Sequence, residues 1–367
     1  MPPRLLIIAD DLTGANDTGV QFAKHGIEVL VSLHPDQCLQ AFADDCQVLV
    51  ANTESRHLSP DEAYRRVYDI ARQGVQLGIA QFYKKTDSTL RGNLGSELAA
   101  LLDATGEREL FFAPAYPKLH RTTRGGVQYV NGVPLHQSSF ANDPLNPMHE
   151  ASINALIGEQ MRYGEHQQTS SIVTLDAETD EDLQRIANNL KDKTLLAGSA
   201  GLAEFLPAAM SLANTSTSPL HLRSPMLAVN GSLHERSLQQ IAHAAQQGWE
   251  VFEAAPTVTA AQLVAPLRTQ PRAILTTSAQ HSDPNAINRI AALMAEVLDQ
   301  IAIPTIAVFG GDTLAAMAQA CHWTAFRPRA EFLPGIPLVQ VCGREDFVLL
   351  TKAGGFGSVD LLSLLRG

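Results

Sequence analysis

Short apolar runs alternate with amphipathic stretches along the whole chain. "RLLIIA" (residues 4–9) leads into a helix-like stretch from Thr13 to Lys24, and "QVLVAN" (47–52) leads into "SPDEAYRRVYDIARQG" (59–74). The latter carries a Ser59 cap, Pro60 in the first turn and apolar positions at helical spacing. "IAQFYKK" and "LRGNLGSELAALLDA" repeat the alternation, as do "ELFFAPA", "SSIVTLDA" and "TLLAGSAGLAEFLPAAM". Strands alternating with helices predict an α/β fold with a mainly parallel sheet. "VQYVNGVPL" breaks the rhythm, and its Asn131-Gly132 pair between β-rich flanks predicts a hairpin. The stretch from Ser211 to Pro225, "SLANTSTSPLHLRSP", loses apolar periodicity and reads as a linker. After it the rhythm restarts with "MLAVNGS", "WEVFEA", "AILTTS", "TIAVFGG", "LVQV" and "FVLLTKAGGFGS". The expected organisation is two α/β domains, 1–215 and 226–367, joined by a linker over 216–225. Each domain is a mainly parallel sheet flanked by helices, with the active site in the cleft between them. No internal sequence repeat is visible.

Length supports two domains: 367 residues exceed what one core usually holds, and 45% hydrophobic with 18% charged residues is globular. The net charge of −11 sets such a surface against nucleic acid and anionic membranes. No apolar run is long enough to span a bilayer, and "MPPRLLIIADD" meets two acids before any cleavage-like site. The four cysteines show neither metal-ligand spacing nor a redox pair. A cytoplasmic protein is the expectation.

Candidate chemistry gathers at strand ends. "LLIIADDLTGANDTG" places Asp10, Asp11 and Asp17 directly after an apolar run. Crowded carboxylates raise one another's pKa, so these acids hold a metal, take a proton, grip hydroxyls or cap a helix. "YKKTDSTLRGNLGSEL" sets Lys84, Lys85, Asp87, Ser88 and Arg91 between a strand and a helix. Arg and Lys suit a carboxylate and Asp and Ser suit sugar hydroxyls, although Asp87 or Ser88 capping the helix explains them equally. Arg121, Thr122 and Arg124 follow near another strand end. In the C-terminal half, Gly310-Gly311-Asp312-Thr313 opens a helix after a buried-type strand. This is a phosphate-binding arrangement without a Walker lysine; Asp312 as a plain N-cap is the alternative. Gly231-Ser232 and Gly354-Gly355 also end strands, so three glycine-bearing ends point to one shared crevice, with Lys352 as its cation.

"ADDLTGANDTG", "KKTDSTLRGN", "PAYPKLHRTTRGGVQYVNGVPL", "NGS", "FGGDT", "LPGIPLV" and "KAGGFGS" occur in an order that resembles the four-carbon acid sugar kinase family across nearly the whole chain. The resemblance implies an N-terminal sugar-acid domain and a C-terminal nucleotide domain. It implies substrate roles for Asp10, Asp11, Asp17, Lys85, Asp87, Ser88 and Arg91. It implies ATP contacts for Ser232, for Gly310, Gly311, Asp312 and Thr313, and for Gly354 with Gly355. Two features depart from the family: His120 stands where Gly precedes the "RT" pair, and the chain is short, which implies trimmed loops in the nucleotide domain.

The activity implied is transfer of a phosphoryl group from ATP, with Mg²⁺, to the terminal hydroxyl of D-threonate or D-erythronate, or of 3-oxo-tetronate. Lys85 and Arg91 would hold the carboxylate. Asp11 is the first choice of base, with Asp17 and Asp312 as rivals, and no residue is assigned to a protein-bound metal. Domain closure with a hinge near Ser216 to Pro219 would exclude water. A homo-oligomer is compatible with the sequence. A nicotinamide-dependent oxidoreductase needs a G-x-G-x-x-G turn, which "GGDTLA" lacks and which "GSAGLAEF" offers in the wrong half. A non-catalytic sugar-acid and nucleotide sensor is the alternative of another class.

Overall fold

A computed structural model describes residues 2–34, 37–143, 146–161, 172–212, 220–269, 271–277, 283 and 285–365. The chain divides into two compact units, Met1–Ser216 and Thr217–Gly367.

In the first unit the described strands are β1 (Leu5–Ala9), β2 (Val29–Ser32), β3 (Val48–Asn52), β4 (Gln81–Lys85), β5 (Leu110–Ala113), β6 (Arg121–Arg124), β7 (Val127–Val130), β8 (Val133–Pro134), β9 (Ile172–Thr174) and β10 (Leu195–Gly198). The main sheet runs in the order β2-β3-β1-β4-β10-β5-β9. All its pairings are parallel. Every residue of β1 and β3 is buried, as expected for strands covered on both faces. The helix Pro60–Gln76 starts at a capping box: the Ser59 hydroxyl accepts from Glu62 N at 3.4 Å, and the Glu62 carboxylate accepts from Ser59 N at 3.2 Å. Such a cap stabilises by about 1 kcal/mol. Its apolar face, Ala63, Val67, Ile70 and Ala71, is buried. The predicted hairpin is β7–β8, with Asn131 and Gly132 both at positive φ, and β6 extends it to a three-stranded antiparallel sheet.

In the second unit the described strands are β11 (Met226–Asn230), β12 (Glu250–Glu253), β13 (Arg272–Thr276), β14 (Thr305–Phe309), β15 (Ala325–Leu333), β16 (Ile336–Val341) and β17 (Arg344–Lys352). Their order is β12-β13-β11-β14-β17-β16-β15. The first five run parallel, while β16 and β15 form an antiparallel meander with β17. The sequence pattern missed β15, because Arg327, Pro328, Arg329 and Glu331 interrupt it and the ladder is bulged after Pro328.

The expected linker falls partly on residues 213–219, outside the described residues, and so does the expected hinge at 216–219. Residues 220–225 are tied to the second unit. Leu220 and Leu222 pack on its core, and Arg223 N donates to Thr305 Oγ1 at 2.9 Å. No described helix is long and apolar enough to cross a membrane.

Candidate active site

In each unit the connection leaving the first strand goes to one side and the connection leaving its neighbour goes to the other. That topology opens a crevice at the carboxyl ends of β1 and β4, and of β11 and β14.

At the first crevice Ala9 pairs with Lys85, so Asp10–Asp11 and Lys85–Asp87 emerge side by side. Asp11 caps the helix Leu12–Ala23: its Oδ1 accepts from Gly14 N at 2.9 Å. Arg56, which follows β3, ties the two acids together. Its Nε donates to Asp10 Oδ2 and its Nη1 to Asp11 Oδ2, each at 2.7 Å. Asp10 is buried and its second oxygen, Oδ1, meets no hydrogen-bond partner. Burial alone would push its pKa up, but Arg56, Lys84 and Lys85 outweigh burial and hold the carboxyl below its usual range. The mutual repulsion expected from sequence is therefore overruled by cations. Lys85 aims its ammonium at the space Gly14 leaves open: a Cβ on Gly14 would lie 2.7 Å from Lys85 Nζ and 2.5 Å from Asp11 Oδ1.

Beneath this surface Lys84 is fully buried and pairs with Glu97 at 2.9 Å, and Ser55 donates to the other oxygen of Glu97. Lys84 is thus a structural cation, not a solvated one. Burial, reinforced by the charge of Asp10, raises the pKa of Glu97 against the pull of Lys84.

The segment after β4 is a loop, with Leu90 and Gly92 at positive φ, and the next helix begins only at Leu94. Neither Asp87 nor Ser88 caps it. Asp87 accepts instead from Thr89 Oγ1 at 2.5 Å and from Arg91 Nε at 2.6 Å. Burial opposes its ionisation, but Arg91 and Arg56 hold its pKa far below the usual range. Arg91 also donates to Asp143 at 3.1 Å and lies over the Phe140 ring. Both contacted nitrogens of its fork are therefore engaged by the protein's own carboxylates. Ser88 is buried and its carbonyl accepts from Gln128 at 2.7 Å. Asp17 is not part of the strand-end pair. It sits six residues beyond Asp11 on the same helix, about 9 Å along the axis, where its charge acts on Tyr83. His120 takes a left-handed conformation, φ 57°, so the backbone keeps the shape a glycine would favour and delivers Arg121 at the start of β6.

At the second crevice β11, β14 and β17 are adjacent, with Asn230, Phe309 and Lys352 in register. The three glycine-bearing strand ends meet there. A Cβ on Gly231 would collide with Thr313 Oγ1, and one on Gly354 would lie 2.5 Å from Ser232 Oγ and 2.9 Å from His234 Cβ. Gly310 precedes the helix Gly311–Ala320 at φ 103°, a conformation that excludes side chains. Thr313 is buried and its hydroxyl meets no partner among the described residues. Buried polar atoms are normally satisfied, so this hydroxyl and the open cradle fit a polar ligand such as a nucleotide phosphate at the helix start. Asp312 is exposed in the first helical turn. Asn230 shapes the turn: its side chain accepts from Ser232 N and donates to Ser232 O, both at 3.2 Å. His234 caps the helix Glu235–Gln246 and lines Gly354 and Gly355.

Lys352 differs from its expected place. It is buried, and its ammonium donates to Ser237 Oγ, Ala353 O and Gly354 O, each at 3.0 Å, over the Phe309 ring. It braces the glycine turn from beneath rather than facing a phosphate. Burial, with Arg236, lowers its pKa to about 7. Among the described residues no group of three His, Cys, Asp or Glu side chains could hold a metal.

Comparison with known proteins agrees with this division of labour. A sugar-binding N-terminal domain family matches residues 5–206 and a nucleotide-binding C-terminal domain family matches residues 227–362. The D-threonate kinase of Salmonella typhimurium is 32% identical, over 97% of this chain and 96% of that protein. A D-erythronate kinase of Heliobacterium modesticaldum is 35% identical over 50% of this chain and 47% of its own length. A 3-oxo-tetronate kinase of Methylobacterium radiotolerans is 26% identical over 96% of both. A Salmonella typhimurium structure shares the fold with a TM-score of 0.82 at 22% identity, covering 98% of each chain. A Bordetella bronchiseptica structure, 28% identical with a TM-score of 0.52, covers 98% of this chain and 97% of its own; it holds bound citrate in a domain-swapped dimer. Acids and cations at one crevice, a glycine cradle at the other and relatives matched end to end leave one assignment: this chain belongs to the four-carbon acid sugar kinase family.

Proposed function

We propose that the protein transfers the terminal phosphoryl group of ATP to the 4-hydroxyl of D-threonate or D-erythronate, with 3-oxo-tetronate as the third candidate. The observation that carries this reading is the pairing of two unlike crevices in one chain. One offers carboxylates and cations, Asp10, Asp11, Lys85, Asp87, Ser88 and Arg91; the other offers backbone amides and one unpartnered hydroxyl. The kinases named above act on such acids, and the Bordetella bronchiseptica structure holds citrate, itself a hydroxylated polyacid.

Phosphoryl transfer needs in-line positioning, neutralisation of charge and an acceptor for the hydroxyl proton. The helix start at Gly311, with Ser232, Gly310, Thr313, Gly354 and Gly355, receives the phosphates through N–H and hydroxyl donors. Mg²⁺ carried by ATP would supply positive charge at this turn, where Asp312 is the available carboxylate. Asp11 takes the hydroxyl proton. It is about a quarter exposed, and the N–H groups of Gly14 and Arg56 hold it in one orientation. Asp17, on the body of its helix, and Asp312, on the phosphate side, are less suited to that step. Use of ATP as donor fits a cytoplasmic enzyme.

The test is ADP release from Mg-ATP in the presence of a panel of tetronates. Release with a four-carbon acid is the expected result. Binding of acid and nucleotide without release would replace the kinase by a sensor.

A further inference from the structure

The crevice at β1 and β4 gathers several cations, and they are not equivalent. Arg56 is committed to Asp10 and Asp11, Lys84 to Glu97, and Arg91 to Asp87 and Asp143, while Lys85 points at the gap beside Gly14 and Asp11, at the Asp10–Asp11 end. Arg121 is different. It is half-buried, and no carboxylate lies within ion-pair distance of it among the described residues. Its Nη1 donates to Leu119 O, while its Nε is buried with no partner. It lies close enough to Asp87 and Arg91 to feel both charges; burial lowers its pKa, Asp87 raises it and Arg91 lowers it again. A guanidinium taken out of water without a counter-anion is costly, and a ligand carboxylate would complete it.

We propose that Arg121 is the specificity-determining residue that receives the substrate's carboxylate, and that Arg91 is a positioning residue which braces Asp87. The proposal rests on the sugar-acid kinase reading and refines it. The acid would lie with its carboxylate at Arg121 and its hydroxyls toward Asp87, leaving the terminal hydroxyl for the Asp10–Asp11 end. The backbone supports this placement: Tyr116 and Arg121 exchange hydrogen bonds, Tyr116 N to Arg121 O at 2.7 Å and Arg121 N to Tyr116 O at 3.1 Å, so the loop after β5 holds Arg121 rigidly.

The experiment compares each tetronate with the corresponding tetritol, in which a hydroxymethyl group replaces the carboxylate, as substrate or competing inhibitor. In the parent enzyme kcat/KM or affinity favours the tetronate. Arg121→Gln should shrink that preference by about 10²-fold, through the tetronate term alone, with KM for ATP unchanged. Arg91→Gln should lower tetronate and tetritol alike. If Arg121→Gln retains the parental preference, the proposal is overturned. Should that variant fail to fold, Arg121→Lys decides: a raised tetronate KM with unchanged ATP KM supports the assignment, and an unchanged tetronate KM refutes it. If the parent enzyme releases no ADP with any tetronate, the kinase reading fails separately. Calorimetric binding of D-threonate to parent and Arg121→Gln proteins then still tests the carboxylate site: weaker binding to the variant supports it and equal binding overturns it.

Discussion

Replacing Gly14 by alanine separates folding from function at the acid site. Gly14 lies in the first turn of the helix Leu12–Ala23, where alanine should gain about 1 kcal/mol of helix propensity. The new methyl would lie 2.5 Å from Asp11 Oδ1 and 2.7 Å from Lys85 Nζ. Both are ends of flexible side chains, so each can swing away. The loss is the Asp11 cap, about 1 kcal/mol, plus displacement of the ammonium. Propensity and cap nearly cancel, so the urea midpoint should move by less than ~1 kcal/mol equivalent. Catalysis has no such compensation, because Asp11 and Lys85 are both pushed off the crevice they share. A displaced base and a displaced cation should cut kcat/KM for the tetronate by about 10²-fold or more, with KM for ATP unaltered. The measurements are chemical denaturation and coupled ADP release at saturating ATP. Parental kcat/KM in a folded Gly14→Ala protein would refute the placement of Asp11 and Lys85 at the reacting centre.

Asp11→Asn should lower kcat about 10²-fold if Asp11 is the base; a change in KM alone would make it a hydroxyl ligand. Gly354→Ala should raise KM for ATP but not for the acid, because its Cβ would meet Ser232 Oγ at 2.5 Å and His234 Cβ at 2.9 Å. Lys84→Met leaves Glu97 buried without its cation and should cost about 3–5 kcal/mol in urea unfolding, while Lys84→Met with Glu97→Leu should recover most of it. Lys352 binds its proton less tightly when folded, at about 7 against 10.5 for an unperturbed lysine, so its share of stability rises with pH between those values. The difference in unfolding free energy between parent and Lys352→Met should therefore shift in the parent's favour from pH 6.5 to 9.5, by at most about 3 kcal/mol; a flat difference would contradict the burial argument.

The alternation of strands and helices was legible because parallel strands buried on both faces are continuous apolar runs. The order of those strands was not legible, since one alternating pattern is compatible with many orders. That gap explains which neighbours at the strand ends the sequence shows. Asp10, Asp11 and Lys85 stand directly at strand ends and carry their own signal. Arg56 lies 46 positions from Asp10 and becomes its partner only because β3 pairs with β1. Asp17 looked like part of the cluster by sequence distance, whereas the helix rise carries it away. Lys352 was visible as a cation beside glycines, but its three donors turn inward to Ser237, Ala353 and Gly354, a direction no spacing encodes.

The two units share a device that the sequence conceals. The first four strands of the first unit lie in the order β2-β3-β1-β4, and the first four of the second lie in the matching order β12-β13-β11-β14. No sequence repeat accompanies this repeat of topology. Each arrangement brings the first and fourth strands together and sends their outgoing connections apart, which fixes a crevice before any side chain is chosen. Residue choice then decides what enters. After β1 and β4 the chain places Asp10, Asp11 and Lys85, side chains suited to hydroxyls and charge. After β11 and β14 it places Gly231, Ser232 and Gly310, which bring backbone N–H groups close. A polyol acid needs acceptors and cations aimed at particular atoms, and a phosphate chain needs many donors at short range. On the proposed function, the chemical difference between acceptor and donor substrates would be written into the same topological position as side chains in one unit and as backbone in the other.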